Sequence, residues 1–250
     1  KSYRVNSSPV LLNTSCREWQ TFNNYLLDQN FTEIYIDRSG MISKMGENSW
    51  SMEFWLLVDG IVYRPQINLA EISLSRNPRK GFIELLWKNK KFVLKQKVFG
   101  LRGDFHEAAV SVEVESTPGG HIQLISALRP YNNENIGTIK SLRFDPDSLK
   151  VFINDLPLIA FEKSPDFVIS ASAEKGYDLK CDEDTYNPES LCCYGMATMG
   201  FKYVISKESS HFNFRISLAN NVSDSLNKSN YNNLFKEFTL YSELKINEGM

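Results

Sequence analysis

Apolar and polar residues alternate over much of this chain. Phe92, Leu94, Gln96 and Val98 fall on one side of a run whose other side carries Val93, Lys95 and Lys97. Val110, Val112 and Val114 alternate in the same way with Ser111, Glu113 and Glu115. A period of two sends successive side chains to opposite faces of a pleated strand, so each run predicts a ribbon with one dry face. Further runs rich in β-branched and aromatic residues predict strands over 31–36, 52–58, 61–63, 81–86, 121–128, 139–144, 149–153, 158–161, 167–171, 197–205 and 212–218. Turn chemistry separates them: Asp37-Arg38-Ser39-Gly40, Asp59-Gly60, Thr117-Pro118-Gly119-Gly120, Asp145-Pro146-Asp147 and Asn154-Asp155. Pro65 ends the run at 61–63 or puts it at a sheet edge. The run at 121–128 follows the one at 108–114 as its hairpin partner in sequence.

Strands at intervals of about 8–12 residues, with turns and no long amphipathic helix between them, are the pattern of a sandwich or barrel. Trp19, Phe22 and Leu26 sit near helical spacing, which fits a turn or two of helix or an irregular lead-in strand equally well. Residues 174–195 are a polar excursion carrying three of the four cysteines, 220–233 read as an exposed Asn- and Ser-rich loop, and 235–246 allow a last strand or a short helix. No repeat of fixed period occurs, which argues against a propeller or solenoid. The predicted fold is all-β, a single large antiparallel β-sandwich over 1–250 with few short helices.

Composition changes this picture little. The chain has 250 residues, 42% hydrophobic, with a net charge of -2, so it has material for a core and no basic footprint for nucleic acid. No apolar run approaches the roughly 18 residues of a membrane-spanning helix. Lys1 opens the sequence and no short apolar signal follows it, the pattern of a processed protein or an excised segment; the cytoplasm is the favoured compartment. Cys16, Cys181, Cys192 and Cys193 fit no zinc spacing, and they read as free thiols, with a bridge from Cys181 to Cys192 or Cys193 as the alternative. The sequons at Asn6, Asn13, Asn30, Asn221 and Asn227 are expected by chance in an Asn-rich chain.

No residue is singled out as catalytic, and no metal or cofactor site is expected. Asp104, Glu107, Glu113 and Glu115 cluster in sequence, yet Glu113 and Glu115 read as the solvent face of a strand rather than a glycosidase pair. His106 stands beside Arg102 and Asp104 in a Gly-flanked loop that suits an anion or a sugar. His121 and His211 are isolated. The chain has no G-x-S-x-G elbow, phosphate-binding loop or dinucleotide fingerprint. The most distinctive segment is Ala127-Leu128-Arg129-Pro130-Tyr131-Asn132, running on to Gly137. Arg129 there is a fixed cation at a strand end, read first as a buried anchor and second as a binding group; Tyr131 offers a ring for stacking.

The stretch EVESTPGGHIQLISALRPYNNENIGTIKSLRF, residues 113–144, resembles the β-sandwich preceding the helical barrel in bacterial glucoamylase-like and glycogen-debranching-like glycoside hydrolases. The resemblance implies a galactose-mutarotase-like supersandwich and an (α/α)6 barrel after about residue 250 that carries the catalytic acids. It therefore implies a non-catalytic accessory domain that packs on a helical catalytic domain in cis and touches oligo- or polysaccharide; charge and hydropathy add the expectation of no nucleic-acid and no membrane partner. Such a domain is expected to expose an apolar patch, with Phe54, Trp55, Trp87 and Tyr131 as candidates. The expected binding residues are Arg129, Tyr131, His106, Trp55 and Trp87. Two alternatives accompany it: a stand-alone mutarotase- or lyase-like enzyme using a His and a Glu, and a non-catalytic surface or carbohydrate-binding protein.

Overall fold

A computed structural model describes residues 20–21, 34–44, 49–77, 82–100, 107–116, 120–130, 137–172, 179–206 and 210–217. They form two antiparallel sheets and two single-turn 3-10 helices, Pro65–Ile67 and Leu69–Glu71. In chain order the strands are β1 (Gln20–Thr21), β2 (Ile34–Ile36), β3 (Ile42–Lys44), β4 (Trp50–Val58), β5 (Ile61–Tyr63), β6 (Ile72–Asn77), β7 (Phe82–Lys88), β8 (Phe92–Gly100) and β9 (Glu107–Ser116). Then come β10 (Ile122–Arg129), β11 (Ser141–Asp145), β12 (Lys150–Ile153), β13 (Leu156–Phe161), β14 (Phe167–Ala171), β15 (Glu189–Leu191), β16 (Thr198–Val204) and β17 (His211–Ser217). The first sheet has eight strands in the order β1-β2-β3-β4-β10-β16-β14, with β5 paired to β4. The second has nine, in the order β15-β11-β12-β13-β17-β9-β8-β7-β6. The chain is an all-β antiparallel sandwich.

One hydrophobic core lies between the sheets. The first contributes Trp50, Met52, Phe54, Leu56, Leu124, Leu128, Met199, Phe201 and Tyr203; the second contributes Trp87, Phe92, Val110, Val112, Phe161, Phe212 and Phe214. An aromatic knot fills its middle: Phe161 meets Phe201 edge-on at 4.7 Å and Phe214 at 5.3 Å between ring centroids. The Tyr203 hydroxyl is buried within this core without a hydrogen-bond partner, and burial pushes its pKa well above the ordinary value. An unpaired buried hydroxyl loses its water and gains nothing in return. Tyr203→Phe is accordingly expected to stabilise the fold by about 1 kcal/mol in urea unfolding, and a loss of stability contradicts this account.

The turns follow local chemistry. Asp59 and Gly60 both have positive φ, 50° and 80°, as the tight turn between β4 and β5 requires. Asn154 and Asp155, at 48° and 66°, do the same between β12 and β13. In the turn from β2 to β3, the buried Asp37 carboxylate accepts from Ser39 N at 2.8 Å, Ser39 Oγ at 2.6 Å and Met41 N at 3.0 Å.

Burial outweighs those three bonds and, with the nearby charge of Glu53, lifts the Asp37 pKa to about 6 from 3.8. A carboxyl whose folded pKa is raised holds its proton more tightly when folded. Stability therefore falls as pH rises from the unfolded value through the folded one, here from about 4 to 6, by about 3 kcal/mol. Asp37→Asn keeps the acceptor oxygen and removes that titration. Its stability relative to the native chain is expected to rise by about that amount between pH 3.5 and 7, as urea unfolding would record. A flat difference across that window would refute the assignment.

One predicted pairing is corrected. The runs at 108–114 and 121–128 are consecutive strands, but they are not a hairpin. β9 pairs with β8 and β17 in the second sheet, whereas β10 pairs with β4 and β16 in the first. The connection between them crosses from one layer to the other. The segment of Trp19, Phe22 and Leu26, read as a turn or two of helix or an irregular lead-in strand, lies largely outside the described residues, where only the backbone pairing of Gln20 and Thr21 is defined. The run at 235–246 and the loop at 220–233 lie wholly outside them.

Candidate functional site

The outer faces of the two sheets differ. On the second sheet, Lys95 bridges Glu115 at 2.8 Å and Glu113 at 3.7 Å, and Lys97 meets Glu84 at 3.3 Å, all with half-exposed side chains. His211 Nε2 hydrogen-bonds Ser111 Oγ at 2.9 Å on the same face. These are cross-strand pairs of a wet surface, and such pairs contribute little to stability. Glu113 and Glu115 thus occupy the solvent face read from their alternation, and Lys95 holds both.

The outer face of the first sheet is buried. All nine residues of β4 and all eight of β10 are buried, so these central strands are covered on both sides. Pairing puts Arg129 opposite Ser51, Ala127 opposite Glu53 and Ile125 opposite Trp55, with Lys202 on the far side of Ile125. Trp55, Leu57, Ile125, Ala127, Ile169 and Ala171 form a second apolar cluster there, closed from above by Leu179 and Cys181.

A polar knot sits inside this cluster. Glu53 Oε2 accepts from Trp55 Nε1 and from Gln66 Nε2, each at 2.8 Å, while Glu53 Oε1 faces Arg129 Nη1 at 3.3 Å. The guanidinium of Arg64 lies 4.3 Å from the Trp55 ring centroid and that of Arg129 lies 5.4 Å from it. Glu53 is 1% exposed and Arg129 3%. Both carboxylate oxygens are thus engaged by partners within the chain. The knot holds the last residue of β10 in place. From there the chain enters Pro130, whose carbonyl accepts from the Gly137 N–H. Gly137 packs so close to Ser49 that a Cβ would fall 2.2 Å from the Ser49 carbonyl oxygen, which excludes any larger residue without backbone movement.

A second buried charge pins the cover. Lys202, fully buried, donates to Cys181 O at 2.9 Å, Glu183 O at 3.0 Å and Asp184 Oδ1 at 2.5 Å. The bond from Lys202 draws the Asp184 pKa below its ordinary range, against a smaller opposing effect of burial. The three ammonium protons thereby tie 181–184 onto the sheet.

Of the five residues expected to bind, Arg129 is the buried anchor just described, and Trp55 is its neighbour on the same face. Trp87 is on the other side of the sandwich. It is buried in the main core, packed edge-on against Phe92 at 4.9 Å, with Nε1 donating to Glu71 Oε2 at 3.1 Å. His106 and Tyr131 lie outside the described residues, as do Asp104 and Cys16. Phe54, Trp55 and Trp87 do not form the expected exposed patch, because β4 is covered on both faces and Trp87 points inward. Glu107 is buried and paired with Arg215 at 2.8 Å. His121 is exposed beside β10, its backbone N–H donating to Asp59 Oδ1 at 3.3 Å, and His211 is on the other sheet. No disulfide joins Cys181, Cys192 and Cys193 to one another; the first two are buried and the third is exposed. Glu53, Gln66 and Lys202 went unread in the sequence, although a lone charge inside an apolar run, as in Trp50–Val58 and Thr198–Val204, marks a buried charge that needs a partner.

Among the described residues, no group of three or more histidine, cysteine or carboxylate side chains is arranged to hold a metal ion. No helix in the described residues is long and apolar enough to cross a membrane. The chain matches no family model. No curated protein matches it either.

Proposed function

We propose that this sandwich is a non-catalytic module of a carbohydrate-active enzyme, one that packs against a helical catalytic domain and contributes glycan contacts from the segment that follows β10. The Glu53–Arg129 knot carries the reading. It spends a buried ion pair, a tryptophan and a glutamine on fixing the entry to the Arg129-Pro130-Tyr131-Asn132 segment, the part of the chain that resembles glucoamylase-like and glycogen-debranching-like sandwiches. Lys95, Arg129 and Lys202 on the outer faces are each committed to a carboxylate within the chain, which suits a scaffold better than an acid–base site. The galactose-mutarotase-like supersandwich belongs to the same proposal.

The reading frame beyond Met250 tests it. Several hundred residues of helical pattern support the module, and a stop codon overturns it. Glycan contact is tested separately, by calorimetric titration of the whole parent protein with a linear malto-oligosaccharide. Tyr131→Ala is expected to weaken binding by about tenfold, the loss of one stacking ring, and unchanged affinity removes Tyr131 from the contact.

A further inference from the structure

Exposed apolar side chains gather at one edge of the second sheet. Tyr186 is 50% exposed, Leu191 58% and Tyr194 76%, and these three bracket the short strand β15. Scattered apolar residues are normal on a surface, but a cluster at a sheet edge marks a contact. β15 ends its sheet: β11 pairs with one side of it, and no described strand pairs with the other. The segment is pinned to both layers. The Asn187 N–H donates to Val168 O at 2.7 Å and Ser190 Oγ to Ala171 O at 2.8 Å, both acceptors on β14, while the Cys192 N–H donates to Lys140 O at 2.8 Å. Rings and edge are therefore held in a fixed arrangement, which lowers the ordering cost of docking. Pro188 O accepts from Phe144 N, so positions 188, 190 and 192 turn their backbone groups toward β11. Alternation along the strand then turns those of Glu189 and Leu191 outward.

We propose that this edge docks a second copy of the chain, β15 pairing antiparallel with β15 of that copy about a two-fold axis at Ser190. The segment is self-complementary about that residue. Glu189 opposes Leu191 of the second copy and Leu191 opposes Glu189, and each pair exchanges both of its outward backbone hydrogen bonds. Tyr186 and Tyr194 are equally spaced on either side of Ser190, so each meets the other kind across the axis. The charges agree with this register. Glu189 has Arg143 beside it on β11 and a leucine on the docked side, whereas an axis at Glu189 would oppose two carboxylates. Two other sheet ends lack these features: β6 turns Ser73 and Ser75 outward, and β14 is already bordered by 185–187. A contact of three paired residues and a few rings is smaller than the roughly 800 Å² per partner of a stable complex, so the dimer is weak and forms at high concentration. It does not rest on the accessory-module reading.

Sedimentation of the full chain from about 1 µM to about 1 mM reads the association, and a concentration-dependent monomer–dimer equilibrium is expected. Leu191→Glu sets a carboxylate opposite Glu189 of the second copy and is expected to weaken the dimer about tenfold or more. Adding Glu189→Lys to that variant makes each opposed pair one of unlike charge, and most of the loss is expected to return. Both side chains are exposed, so neither change threatens the fold. In the native chain the Glu189 and Leu191 amides are expected to exchange with solvent more slowly at high concentration than at low. A monomer at every concentration overturns the proposal. So does a dimer indifferent to Leu191→Glu, one that the double variant does not recover, or exchange at Glu189 and Leu191 that ignores concentration.

Discussion

Arg129→Met is expected to destabilise the protein by roughly 3–5 kcal/mol, the cost of leaving one partner of a buried ion pair without the other. Glu53 is then held in the interior by two neutral donors alone, Trp55 Nε1 and Gln66 Nε2. Neither supplies the charge that offsets desolvation of a carboxylate. The loss belongs mainly to the stranded charge and not to the pair as such. Replacing both partners, Glu53→Leu with Arg129→Met, is expected to cost less than Arg129→Met alone, because apolar groups of similar size bury without penalty. Urea unfolding of the two variants and of Glu53→Leu completes the cycle. A double variant that is less stable than Arg129→Met shows that the knot stabilises by attraction rather than by neutralising what burial imposes.

The second sheet was readable because one of its faces is wet. β8 and β9 alternate apolar with charged residues, and their boundaries fall within a few residues of the sequence pattern. The first sheet was less so, because β4 and β10 are buried on both faces and their patterns lose the period of two. That is why Trp55 looked like a surface ring and Glu53 went unnoticed. The β9–β10 error has a different source. Turn residues at 117–120 fix a reversal of the chain, but the sheet a strand joins is set by distant partners, β4 and β16 for β10, which local chemistry does not encode. β3 and β15 were missed because three residues show no period and, unlike the equally short β5, neither follows a longer apolar run across a two-residue Asp-Gly turn. β6 was missed although Ile72 and Leu74 alternate with Ser73 and Ser75, since serine weakens the β signal on its outer side.

The candidate site was legible in one respect: a charged residue ending an apolar run in front of a proline pointed to Arg129. Its partner was not legible, because Glu53 lies 76 positions earlier and meets it only through the β4–β10 pairing. Lys202 was hidden for the same reason. Its three acceptors are in 174–195, which read in the sequence only as a polar excursion carrying cysteines. In the structure, part of that excursion covers the first sheet. Leu179 and Cys181 face inward, while Asp182, Glu183 and Asp184 are exposed.

Lys202→Met tests whether that cover depends on its lysine. The buried carbonyl oxygen of Cys181 and the part-buried one of Glu183 lose their donor, and Asp184 loses its counter-charge. An unsatisfied buried acceptor costs about 1–3 kcal/mol and a part-buried one less, so a total of roughly 2–4 kcal/mol is expected, less any part that water recovers at Glu183 and the half-exposed Asp184. The loss is expected to be uneven. The amides whose bonds tie this region to β14, Val168 to Thr185 and Asn187 to Val168, should exchange faster with solvent, while those pairing β7 with β8 keep their protection. The Asp184 carboxyl, held low chiefly by Lys202, is expected to titrate closer to its ordinary range. Uniform loss of protection across both sheets would show that Lys202 supports the whole sandwich. Unchanged exchange at Val168 and Asn187 would show that apolar packing of Leu179 and Cys181 alone holds the cover down.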